Sequence, residues 1–150
     1  MKISLFLGIV VFVICFGGVL YLNSSNPEGK LFVFTPPYNY VVGDTLSFFN
    51  SFLFVFILSA AFFGIAAPIA LGMEGLKYAS LLSAGLMPVY DVLFVIPSLL
   101  SAYSASLLGQ GAIEDYQGKG SVFGHWQDAV KWFAVGTAIL VILILARGYL

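Results

Sequence analysis

Charge is what this sequence has least of: six Lys and Arg and seven Asp and Glu make up 9% of 150 residues, where a soluble globular domain carries roughly 25%. So few ionised groups do not cover a body of 16.2 kDa, and a water-soluble monomer is excluded. Cysteine is almost missing as well. Cys15 stands alone in the middle of an apolar run, which excludes an internal disulfide and a Cys-based metal site and leaves it reading as a small hydrophobe. The single histidine, His125, has none of the paired spacings of zinc sites and reads as part of a solvated loop with Glu114, Asp115 and Asp128. A Gly-rich phosphate loop, a nucleophile-elbow serine, a Cys-His pair and paired intramembrane carboxylates are also missing, so neither an enzyme nor a cofactor is expected. With a net charge of −1 and scattered basic residues, nucleic acid is not an expected partner. The alternating pattern of a membrane β-barrel is missing too, because the apolar runs are continuous.

What is present is apolar. Hydrophobic residues make up 61% and aromatics 17% of the chain, and mean hydropathy is +1.03, so the surrounding solvent is lipid. A span needs about 20 apolar residues. The chain therefore reads as one all-α, polytopic integral membrane domain over 1–150 with about four transmembrane helices, placed in the cell membrane.

The first apolar run, 3–22, follows Lys2 and has the form of an uncleaved signal anchor. Residues 23–45 are a loop whose aromatic stretch Phe32 to Tyr40 suits the headgroup region. Asn23-Ser24-Ser25 fits the N-glycosylation pattern. Asp44-Thr45 supplies capping groups for a second helix over 46–73, long enough to tilt or to kink near Pro68. Glu74-Gly75-Leu76-Lys77 interrupts the apolar pattern and reads as a solvated helix-end pair. The apolar piece 78–88 is too short to span and reads as a re-entrant half-helix turning at Gly85 to Pro88, or as part of one broken span. A third helix covers 89–108 and a fourth 131–147, with Trp132 and Tyr149 as interface anchors and Arg147 in the last turn. Basic residues divide evenly between the two sides in this arrangement, and Lys2 tips the N-terminus toward the cytoplasm.

The third helix carries small residues at four-residue spacing on two stripes: Ser98, Ala102 and Ser106, then Ser101, Ala105 and Gly109. Such stripes let backbones approach closely. They mark either packing against the second helix, through Ala60, Gly64 and Pro68, or a face for another membrane protein or a second copy. Asp91 is an acid within an apolar stretch, where insertion costs about 2.5–3.5 kcal/mol at the bilayer centre. It reads as an interfacial helix cap, as the partner of Lys77 or Lys131, or as a proton- or ion-handling group. Pro97 is a kink.

In helices two and three the segments SFFNSF, GIAAPIALG, MEGLKYA and FVIPSLLSAYSASLLGQG resemble, in order, the stage II sporulation protein M family of small multi-pass membrane proteins, over roughly residues 46–150. The resemblance implies a non-enzymatic membrane protein that works within a complex. The expected function is a scaffold or accessory subunit whose partners are membrane lipid and another membrane protein or itself. The rival is a small transporter or channel component using the broken-helix region around Asp91 and Pro97.

Overall fold

A computed structural model describes residues 2–26, 31–37, 41, 44–120 and 122–149. It is 80% helical, with no strand among the described residues. Five helices follow one another: α1 (Lys2–Ser24), α2 (Thr45–Ala61), α3 (Ala67–Ser83), α4 (Val95–Tyr116) and α5 (Val122–Arg147), with a 3-10 helix at Val89–Phe94 leading into α4. Three stretches are long and apolar enough to cross a membrane: Leu5–Ser24, Val89–Tyr116 and Val122–Arg147. The expected count of about four spans thus becomes three stretches of spanning length beside two helices of 17 residues each, which at 1.5 Å per residue extend about 25 Å.

The largest departure from the sequence reading is the reversal inside 46–73. Where a single kinked helix was expected, α2 stops at Ala61 and the chain turns back over 62–66. Phe63 and Gly64 both take positive φ, 53° and 80°, and the Gly64 N–H donates to the Ser59 carbonyl at 2.7 Å. Only glycine fits there, because a Cβ on Gly64 would lie 2.9 Å from the Cα of Ser106 as well as adopting a conformation that L side chains resist. Pro68 then falls in the first turn of α3, where its missing N–H costs nothing. Proline starts a helix here instead of bending one.

Three other boundaries shift. The piece 78–88 is not a re-entrant half-helix: its first part completes α3, and the chain turns at 84–88 with Gly85 at φ 67°. The third helix runs on past 108 to Tyr116, because Gly109 and Gly111 are sites of close approach; a Cβ on Gly109 would run into the backbone of Phe63, and one on Gly111 would lie 2.8 Å from the Cβ of His125. The fourth helix begins at Val122, not 131, since its polar first turns pack on α4 and the Ser104 hydroxyl donates to the Ala129 carbonyl at 2.6 Å.

Successive helices alternate in direction. Ser51 of α2 faces Glu74 and Lys77 of α3, Gly8 and Gly75 mark parallel packing of α1 on α3, and Arg147 at the end of α5 reaches Asp91 before α4. One end of the bundle thus carries the start of α1, the 62–66 turn and the α4–α5 turn. The other carries the end of α1, the 84–88 turn and the end of α5. Helices α3 and α4 are the inner pair, and α1 and α5 expose Phe6, Val13, Ile14, Ile142 and Leu145 outward. Such an apolar exterior is that of an integral membrane protein.

The α1–α3 contact is closest at glycine. A Cβ on Gly75 would lie 2.7 Å from the Phe12 carbonyl oxygen, and one on Gly72 would lie 2.8 Å from Val11 Cγ1. With no hydrophobic force between helices in lipid, this backbone proximity supplies the dispersion contact that holds them together. Aromatic rings fill the α2 side: Phe48 stacks on Phe94 with centroids 3.8 Å apart, and Phe133 of α5 meets Phe52 and Phe56 at 5.0 and 4.6 Å.

Candidate functional site

The most unusual feature of the interior is a closed cluster of charge. Glu74 and Lys77, one turn apart on α3, are both fully buried, and their side chains meet at 2.5 Å. Ser51 of α2 completes the cluster: its hydroxyl donates to the Glu74 carboxylate at 2.5 Å and accepts from Lys77 Nζ at 2.8 Å. Lys77 also sits 4.1 Å from the centroid of the Tyr78 ring. This corrects the reading of Glu74 and Lys77 as a solvated pair at a helix end. The helix continues through them because the opposite charges at i and i+3 neutralise each other, and α1, α2 and α4 shield α3 from the surroundings.

Asp91 is buried at 1% exposure, and its carboxylate accepts from Arg147 Nε at 3.0 Å. The guanidinium lies 5.2 Å from the centroid of the Phe48 ring. Neither Lys77 nor Lys131 fills the role of partner. The antiparallel α4–α5 hairpin delivers the last turn of α5 to the 3-10 helix, a register that spans 56 residues of sequence and leaves no local signal. Pro97 is buried in the first turn of α4 rather than within it, so it kinks nothing; its carbonyl faces Gly136 of α5.

The small-residue stripes of α4 lie inside the chain. Ser98, Ser101, Ala102, Ala105, Ser106 and Gly109 are all buried, against α2, the 62–66 turn and α5. Ser101 donates to the Phe52 carbonyl of α2 at 2.8 Å, while Ser98 and Ser106 bond back within their own helix to Phe94 and Ala102. This is intramolecular packing, and it occupies the face that a partner would need.

At the opposite end from Asp91, Glu114 of α4 meets His125 Nε2 at 2.8 Å and accepts from the Gln110 amide. His125 is therefore helical and paired, not part of a loop. No group of three or more metal-ligating side chains occurs among the described residues. Asn23 ties α1 to its surroundings, its amide nitrogen donating to Ser83 at 2.5 Å and to the Phe32 carbonyl at 3.2 Å while its oxygen accepts from the Phe32 N–H. A glycan on that nitrogen would remove one of these donors. Of the expected aromatic surface stretch, Phe32 is exposed and Tyr38 to Tyr40 lie outside the described residues.

Sequence reasoning missed the interior role of Glu74, Lys77 and Ser51. The available signal was the i, i+3 pairing of opposite charges inside an otherwise apolar helix, with a serine as far before the Gly64 turn as Lys77 is after it. Comparison with known proteins finds no matching family, curated protein or solved structure.

Proposed function

We propose that the chain is a non-enzymatic, five-pass membrane protein acting as a scaffold or accessory subunit of a membrane complex, in keeping with its resemblance to the stage II sporulation protein M family. The observation that carries this reading is that the two buried carboxylates among the described residues, Glu74 and Asp91, are closed on cations of the same chain. Interior charge so arranged serves to hold helices in register, whereas a transported ion needs a group it can exchange with. The α4 stripes are used internally, which leaves the exposed apolar faces of α1 and α5 for a partner.

All five helices cross in this reading. Helices α2 and α3 form a hairpin flush with α1 and α4, so the termini lie on opposite sides. The end that carries the start of α1 holds Lys2 and Lys119, against Arg147 at the other end, which favours a cytoplasmic N-terminus in the cell membrane. Native mass spectrometry of the complex released from its own membrane tests the role. A stoichiometric second protein is the expected result; a homo-oligomer alone would contradict it.

A second reading, a transporter or channel component, draws on the 3-10 helix that places buried Asp91 beside α4. It requires ion flux in proteoliposomes that is lost in Asp91→Asn. The accessory reading expects flux no greater than in empty vesicles for both proteins.

A further inference from the structure

We propose that the chain binds one bilayer lipid with a primary ammonium headgroup, at the end of the bundle where the 62–66 turn meets α4. Two hollows adjoin there. One, of about 410 Å³, is the more polar, with Ser106, Gln110, Glu114 and Gln117 of α4 facing Phe63 and Ile65. The other, of about 460 Å³, is apolar and is walled by Leu58 of α2 with Ile69 and Met73 of α3. Phe63 and Ile65 line both, so the two hollows meet at those side chains.

Their placement matches a single amphiphile. The polar hollow lies beside the hydrophilic turn Gln117 to Gly120, at headgroup level, while the apolar one runs from Ile65 to Met73 along α3, about 12 Å toward the bilayer interior. Phe63, Ile65 and Ile69 are 54%, 74% and 59% exposed, so the groove is open to an acyl chain from the side. Lipid tails fill such grooves without an aqueous entry path.

The headgroup class follows from charge. Glu114 is the one ionisable residue lining the polar hollow, and it stands in the last turn of α4, where the helix dipole adds further negative potential. An ammonium is a compact cation with three donors. It fits the remaining lone pairs of a carboxylate whose two oxygens already meet the Gln110 amide and His125 Nε2, with the Gln117 amide beside it to meet the adjoining phosphate. An anionic glycerol headgroup brings like charge to Glu114, and a quaternary choline brings no N–H donor. The site is independent of whether the chain is an accessory subunit.

The test is native mass spectrometry of the full chain released from nanodiscs of equal phosphatidylethanolamine, phosphatidylcholine and phosphatidylglycerol. The ethanolamine lipid should be retained about two- to fivefold over the glycerol lipid, the ratio a part-exposed ion pair supports. Glu114→Gln should bring that ratio near one, and Glu114→Lys should reverse it, with far-UV circular dichroism unchanged. Ile69→Trp, which fills the groove, should lower retention of every lipid. Equal retention of the two lipids by the wild type, an unchanged preference in both Glu114 variants, or undiminished retention in Ile69→Trp would each overturn the proposal. Failure of the chain to enter nanodiscs would instead contradict its assignment to the membrane.

Discussion

Burying Glu74 and Lys77 is tolerable only because each neutralises the other and Ser51 satisfies both. Removing one partner leaves an uncompensated charge in a low-dielectric interior, which costs about 3–5 kcal/mol, whereas replacing both with apolar residues of similar volume is close to neutral. Lys77→Met alone should therefore destabilise the protein strongly, and Glu74→Leu/Lys77→Met together should restore most of the loss. Thermal melting in detergent measures both. Asp91 and Arg147 should behave as a second, independent couple, with a coupling energy of about 0.5–3 kcal/mol in a double-mutant cycle of Asp91→Asn and Arg147→Met. No coupling would mean that the two side chains merely lie close together. None of these pairings except Glu74 with Lys77 is local, and that one was visible in the sequence as two residues three apart. What the sequence did not disclose was their depth, because burial depends on which helices surround α3.

At the scale of elements, glycine decides how close the helices come. The Cβ that Gly75 lacks would meet the Phe12 carbonyl oxygen at 2.7 Å, so Gly75→Val should push α1 off α3 and cost about 1–3 kcal/mol. Cys15, the only cysteine, packs beside the same contact. Its labelling by a lipid-soluble maleimide should rise in Gly75→Val, and unchanged labelling would place α1 elsewhere. The apolar runs and their punctuation were legible in the sequence: Gly64, Pro68, Gly85 and Pro88 all mark turns or helix starts. Their strength was not. A glycine before a proline is compatible with a kink or with a full reversal, and the reversal wins here because Gly64 takes a positive φ while pressed against Ser106. Gly109 and Gly111 misled in the opposite direction, since they resemble helix terminators but serve as contact points inside α4.

Over the whole molecule, the five helices alternate, so the start of α1 and the end of α5 lie at opposite ends of the bundle. The sequence reading of four spans with a re-entrant piece puts both termini on one side, and the difference comes entirely from the reversal at 62–66. Hydropathy identifies a membrane protein here without difficulty, but it does not resolve two 17-residue helices joined by five residues of mostly apolar turn. The most direct measurement is the sidedness of the two termini in sealed vesicles of the native membrane, read by protease access to a short tag at each end. A five-pass bundle predicts that one tag is cleaved and the other protected. Cleavage of both tags, or protection of both, would contradict it.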